Sequence, residues 1–370
     1  MHRYSKNIEN IKYLSIATVL FSISWLWLSF TFPLKLALDK MSYQEIGMIG
    51  TLTSFPFVIV SFSFRFLGRR ALNFAMKAPY IVIALFSTLL IFVNNNIFIY
   101  VFIIGITGFF QSMWWISVEI ETGLIGVEGN AEKYSAAWAI PSGLFPIFSG
   151  ALLQYVGFNA VYILVIVTSI IGFLIQPMDS VERRITKKGD LKFILLLPMT
   201  FVGIFLGYSS YVLVPFLKNS NYSYLQIGAL LAISGIAFAL GSIYAGTLKN
   251  NNYPKFSWIS SLLASSFLLL FISTSYVVIS LSLFLGGFGG SFGFSKLLSL
   301  IGKSESPRNG VFFYETLFSI GYVSGTLLGG TLLSLYGIDV SLLMFIPSLI
   351  YSITIYSGYL KGSPSFAYVK

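Results

Sequence analysis

Apolar runs of about twenty residues, the length a helix needs to cross hydrocarbon, recur along this 370-residue chain with only short polar breaks between them. They can be placed at 13–34, 44–64, 78–93, 97–119, 134–156, 159–177, 193–215, 224–247, 256–273, 277–299, 310–335 and 340–360. Runs of this length suit helices, since a barrel strand needs only about ten residues. Charged residues make up 10% of the chain, against roughly 25% in a soluble domain. So few charges could not cover a surface facing water. Lipid is the solvent that tolerates such a chain, provided every backbone polar group is satisfied inside a helix. The breaks, such as Asn94-Asn95-Asn96 and Ser306-Pro307-Arg308-Asn309, are rich in turn formers and leave no room for a soluble domain between spans. The first apolar stretch lacks a small-residue cleavage site and reads as a retained span.

The net charge of +10 does not point to nucleic acid once its distribution is followed. With the N-terminus cytoplasmic, twenty basic residues fall on that side and only Lys35, Lys40 and Lys218 on the other. This is the positive-inside asymmetry of a multi-pass protein, and the basic residues serve the anionic leaflet. Twelve crossings return the C-terminus to the cytoplasm, and the expected location is the plasma membrane. The chain has no cysteine, and its single histidine, His2, lies in the leading polar tail. Thiolate chemistry, disulfides and a metal centre are therefore not expected, nor is any cofactor. A membrane-embedded enzyme would need a nucleophile with its base, a metal site or paired carboxylates, and no such constellation stands out.

The polar segment 179–191 leaves six runs before it and six after. Ser42-Tyr43-x-x-Ile46-Gly47 is echoed by Ser223-Tyr224-x-x-Ile227-Gly228, and Gly150-x-Leu152-Leu153-x-x-x-Gly157 by Gly330-x-Leu332-Leu333-x-x-x-Gly337, at offsets of 181 and 180. The expected fold is all-α, with twelve transmembrane helices in two pseudo-symmetric six-helix bundles, 1–178 and 192–370, joined by a cytoplasmic loop at 179–191. Internal repeats of this kind place a ligand near the midplane between them.

The loop after the second run reads Ser61-Phe62-Ser63-Phe64-Arg65-Phe66-Leu67-Gly68-Arg69-Arg70. It is similar to the Gly-x-x-x-Asp-Arg-x-Gly-Arg-Arg motif of the major facilitator superfamily, with Gly68, Arg69 and Arg70 matching and Ser61 and Arg65 departing. Pro146-x-x-Ser149-Gly150 in the fifth run, with Pro141 before it, resembles a motif of drug–proton antiporters in that superfamily; the bland reading is a kinked, closely packed helix. The resemblance implies a secondary transporter working by alternating access on a small organic molecule. It would act as a monomer with lipids as its other partner.

The same resemblance puts the first, fourth, seventh and tenth spans around a central cavity. Trp25, Gln111, Trp115, Tyr208, Tyr211 and Ser291 are the candidate lining residues, with Ser22 and Trp114 nearby. Gln111 stands out because a buried amide needs partners. No charge sits at mid-depth in these spans, so the cargo expected is neutral or amphipathic.

Charges within spans are expensive and mark function by default. Glu119 or Glu121 is expected to pair with Arg69 or Arg70 at the cytoplasmic gate; two residues apart, the two carboxylates face nearly opposite ways. Lys296 and Glu315 lie at similar depth on consecutive helices and are expected to pair, either as a static contact or as a coupling pair broken by protonation of Glu315. Proton coupling through Glu315 or Glu119 and uncoupled facilitation both stay open, as do export and nutrient uptake, with export ahead on the fifth-span motif. A receptor or scaffold that binds without translocating is the alternative of another class.

Overall fold

The structure, a computed structural model, describes residues 2–92, 96–125, 130–176, 190–191, 196–248, 253–304, 306–337, 349 and 368–369. Its elements are α1 (His2–Leu26), a π-helical turn (Trp27–Thr31), α2 (Phe32–Leu38), α3 (Tyr43–Phe64), α4 (Arg69–Phe92), α5 (Ile97–Ile125), α6 (Asn130–Tyr155) and α7 (Phe158–Ile175). There follow β1 (Asp190–Leu191), α8 (Pro198–Tyr208), a second π turn (Ser209–Leu213), α9 (Val214–Asn219), α10 (Tyr224–Thr247), α11 (Tyr253–Ile272), α12 (Tyr276–Gly302), α13 (Pro307–Tyr336) and β2 (Tyr368–Val369). Among the described residues, ten helices are long and apolar enough to span a membrane, and Ser261–Ile272 adds a shorter apolar helix. This is a multi-pass membrane architecture. The run at 340–360 lies outside the described residues apart from Leu349, as does the segment 179–191 apart from Asp190 and Leu191, which pair antiparallel with Val369 and Tyr368.

The repeated sequence motifs turn out to be helix ends and helix contacts. Ser42 and Ser223 are N-caps that close capping boxes with Glu45 and Gln226, satisfying backbone donors the helix start would otherwise leave open. Just before each cap stands a residue in the left-handed region, Lys40 (φ 62°) and Asn221 (φ 67°). The backbone closes identically around both: Met41 N–H donates to the Leu36 carbonyl at 3.2 Å, and Tyr222 N–H to that of Leu217 at 3.1 Å. Gly157 (φ 105°) and Gly337 (φ 66°) end α6 and α13 with a conformation that a side chain would strain.

These motifs also meet one another. Gly47 lies against the Thr326 backbone, and Gly330 against the Tyr43 carbonyl, so α3 and α13 approach backbone to backbone. Gly228 sits on the Pro146 carbonyl, and a Cβ on Gly150 would stand 2.5 Å from the Tyr224 carbonyl, which brings α6 and α10 together in the same way. Lipid tails are as apolar as leucine, so packing in a membrane comes from close contact, which small residues allow.

The two π turns repeat at an offset of 182, each followed by a proline, Pro33 and Pro215. They face each other: Tyr211 Oη in the second donates to the Leu28 carbonyl in the first at 2.7 Å. A π turn spaces its hydrogen bonds over five residues and commonly marks a functional position.

Candidate functional site

Helix α5 carries one stripe at helical spacing: Gly108, Gln111, Trp115 and Glu119. Gly108 has no side chain to hold it off the Leu52 carbonyl of α3. That close approach aims the rest of the stripe inward. Gln111 is fully buried, and neither amide atom has a protein partner. Trp115 packs edge-on against Trp25 of α1 (6.0 Å between ring centres) and against Trp138 of α6 (6.3 Å). Trp138 continues to Phe238 of α10 (4.5 Å) and Phe294 of α12 (5.4 Å), and Phe294 to Tyr314 of α13 (5.3 Å). An unbroken aromatic layer therefore runs from the earlier spans to the later ones. The Trp138 indole N–H, inside this layer, has no acceptor.

One turn beyond the layer, Glu119 of α5 and Glu315 of α13 lie close enough for each to act on the other's charge. Both are buried. Tyr134 Oη donates to Glu119 Oε1 at 3.3 Å, while Glu119 Oε2 finds no donor in the protein. A carboxylate only accepts, so two carboxyl groups in contact need a proton between them or a cation beside them. Without either, two charges about 4 Å apart repel by about 4 kcal/mol at an effective dielectric constant of about 20.

The expected pair of Lys296 with Glu315 is replaced by two contacts that cross the chain. Glu315 meets Glu119, and Lys296 Nζ lies 3.6 Å from Glu132 Oε1 of α6 while donating to the Leu248 carbonyl at 2.7 Å. Leu248 ends α10, and a cation suits a helix C-terminus. α12 and α13 touch directly through Tyr314 and Phe294, yet Lys296 turns instead to α6 and the end of α10. The gate contact expected between Glu119 or Glu121 and Arg69 or Arg70 is corrected too: both arginines are exposed, whereas both glutamates are buried. Arg65 bridges the ends of α3 and α13 instead. Its Nε donates to Asn309 Oδ1 at 2.9 Å and its guanidinium lies 4.8 Å from the Phe312 ring centre, while Arg308 donates to the Leu67 carbonyl at 2.7 Å.

Of the six candidate lining residues, Trp25, Gln111 and Trp115 converge on the aromatic layer. Tyr211 forms the bond between π turns and packs its ring on Gly50. Tyr208 packs on Phe267 of α11 (6.0 Å), and Ser291 sits against Gly241 of α10 while donating to the Phe288 carbonyl at 2.9 Å, so these two serve helix packing. Ser22 donates to the Thr18 carbonyl of its own helix, and Trp114 to Gln176. Sequence reasoning passed over Glu132, Tyr134, Trp138, Phe294 and Tyr314. Glu132 and Tyr134 looked like the start of a helix rather than its interior, and the sixfold recurrence of tryptophan does not say which rings meet. Among the described residues, no group of His, Cys, Asp and Glu could hold a metal ion.

At one end of the bundle α3–α13 and α6–α10 meet through glycines; at the other, Glu119 and Glu315 bring α5 to α13, Lys296–Glu132 joins α12 to α6, and Arg65–Asn309 joins the ends of α3 and α13. The human organic anion transporter MFSD10 (TETRAN) has a similar structure, with a TM-score of 0.69 covering 95% of this chain and 99% of that one at 14% identity. The chain has the major facilitator fold. No family model matches the sequence. The glycerol-3-phosphate transporter of Bacillus subtilis (strain 168) is 26% identical over 119 residues, and this match spans 30% of the chain and 27% of that relative's length.

Proposed function

We propose that this chain is a secondary transporter of twelve spans, two six-helix halves at 1–178 and 192–370 joined by a cytoplasmic loop at 179–191, with both termini cytoplasmic in a plasma membrane. It moves a small neutral or amphipathic organic molecule by alternating access, with export favoured over uptake. What supports this reading is the burial of Glu119 on α5 and Glu315 on α13 close to one another, one from each proposed half. On this reading the pair is a closure whose strength depends on one proton. Loss of that proton turns a hydrogen bond into a repulsion, and the cytoplasmic end then parts while the glycine-packed end stays shut. Protons are thereby the coupling ion. The names of the two similar proteins suggest anionic cargo, but their likeness here is of fold, or of about a quarter of a chain. The acidic character of this site does not support carrying that cargo over.

The test exploits the absence of cysteine, which makes labelling clean. Spin labels on Ser63→Cys with Phe313→Cys report the ionisable end, and on Met48→Cys with Tyr336→Cys the glycine end; the four are exposed. In proteoliposomes, a transporter shows the two distances lengthening in alternation. A receptor or scaffold keeps both fixed, and that result would end this reading.

A further inference from the structure

Trp115 is surrounded by polar atoms that nothing in the protein satisfies. Gln111 stands one helical turn before it on the same face of α5 and is fully buried, with neither amide atom partnered. Trp25 of α1 packs on the Trp115 ring at 6.0 Å between ring centres, and its buried indole N–H has no acceptor. Trp138 of α6 packs on the same ring at 6.3 Å, is 6% exposed, and has an N–H that is likewise unmatched. The hydroxyls nearby are already committed: Tyr134 donates to Glu119 at 3.3 Å and Tyr314 to the Phe294 carbonyl at 3.2 Å. Unmatched groups from α1, α5 and α6 thus meet in one aromatic neighbourhood. Burying each without a partner is costly, and a bound polar molecule removes that cost.

The kind of group selects the kind of molecule. An indole N–H only donates, and a carboxamide adds two donors and one acceptor oxygen. Donors therefore outnumber acceptors, and a molecule that satisfies them must accept more than it donates. An ammonium or guanidinium group only donates, so it would leave both indoles unmatched. A carboxylate or phosphate accepts, but the one buried cation among the described residues is Lys296, engaged with Glu132 and the Leu248 carbonyl. Glu119, one turn beyond Trp115 on α5, disfavours an anion further. What fits is neutral and rich in acceptors. The rings of Trp25, Trp115, Trp138, Phe238 and Phe294 favour a flat molecule that stacks on them or meets them edge-on.

We propose that the cargo is a neutral planar heterocycle bearing a lactam, a ring N–H beside a ring carbonyl, together with a further ring acceptor. The lactam edge pairs with Gln111 at two points, as a carboxamide reads the edge of a base. The ring N–H donates to the Gln111 oxygen, and the Gln111 amide donates to the ring carbonyl. The remaining acceptors take the N–H groups of Trp25 and Trp138. This rests on the transporter reading above and narrows its cargo.

The experiment titrates the full chain in lipid nanodiscs with flat probes of similar size, and binding is followed by calorimetry. Theobromine is neutral and carries an N–H between two ring carbonyls; caffeine differs by one methyl, which blocks that N–H. Naphthalene lacks polar atoms, N-methylquinolinium is a cation and 2-naphthoate an anion. Theobromine should bind best, about tenfold or more tighter than caffeine, because a site that hydrogen-bonds an N–H rejects the analogue lacking it. Gln111→Leu should weaken theobromine about tenfold and abolish its advantage over caffeine. Trp138→Phe keeps an aromatic ring without the N–H and should weaken both xanthines by a similar factor. Theobromine and caffeine are compared in the unaltered protein, so a variant that fails to fold does not blunt the test. Equal binding of theobromine and caffeine, tighter binding of naphthalene, the cation or the anion, or no binding of theobromine overturns the assignment. The spin-label distances separate the two ideas. Alternating ends without theobromine binding sink the cargo and keep the transporter; rigid ends with theobromine bound sink the transporter and leave the binding site.

Discussion

At the scale of single residues, two positions show the protein holding an arrangement that its own stability does not favour. Gln111 is a fully buried amide with both polar atoms unmatched. Replacing it with leucine, of similar volume, removes the mismatch and fills the same space with carbon. Gln111→Leu is therefore expected to stabilise the purified protein by about 1–3 kcal/mol, seen as a higher melting temperature, while ligand affinity falls. A lowered melting temperature would mean that the amide is satisfied in a way this packing does not reveal. Lys40 is the opposite case, an exposed residue held at φ 62° where a lysine side chain crowds its own backbone. Its counterpart one repeat later is Asn221, a residue type that tolerates this region. Lys40→Asn should stabilise the protein by roughly 0.4–1 kcal/mol, the range seen when a residue is matched to its backbone conformation. Neither site announces itself by residue type alone. The glutamine was legible as a buried amide in need of partners, but the lysine's conformation appears only once the repeat is laid on the structure.

At the scale of elements, the sequence carried the spans and the repeat, and the structure supplies the reason for each repeated letter. The serines cap helices, the final glycines end them, and the remaining glycines let α3 meet α13 and α6 meet α10. Spacing could reveal these positions because each is dictated by local backbone geometry or by one close approach. Spacing could not reveal the partners of Lys296 and Glu315, since which helix lies between two others is a property of the assembled molecule. The π turns were likewise illegible, because Trp27–Thr31 and Ser209–Leu213 read as uninterrupted apolar helix. Their link is testable. Tyr211→Phe keeps the ring on Gly50 and removes only the bond to the Leu28 carbonyl, a loss of about 1 kcal/mol. The Met48–Tyr336 label pair should then show about a fivefold larger open fraction. Gly47→Leu should act more strongly, since even a Cβ there meets the Thr326 backbone. That variant should hold the glycine end open, read as a lengthened Met48–Tyr336 distance under all conditions; an unchanged distance would mean that α3 and α13 do not close this end.

At the scale of the whole molecule, the two ends are held together by different chemistry. Close-packed glycines and one phenol–carbonyl bond hold one end, with nothing in them that titrates near neutrality. The other end is held by Glu119 with Glu315, Lys296 with Glu132 and Arg65 with Asn309. On the proposed reading one proton lies between Glu119 and Glu315, and raising the pH removes it and replaces attraction with repulsion. The Lys296–Glu132 and Arg65–Asn309 contacts resist that opening. The sign is therefore set: high pH favours opening of the ionisable end, low pH favours closure, and the glycine end responds only indirectly. In nanodiscs without ligand, the Ser63–Phe313 label distance should lengthen as pH rises from about 6 to about 9, whereas Met48–Tyr336 should not lengthen. Glu315→Gln supplies an amide that donates to Glu119 at every pH, so its Ser63–Phe313 distance should stay short across the range. A distance in Glu315→Gln that still lengthens with pH would mean that this pair does not set the response of the ionisable end.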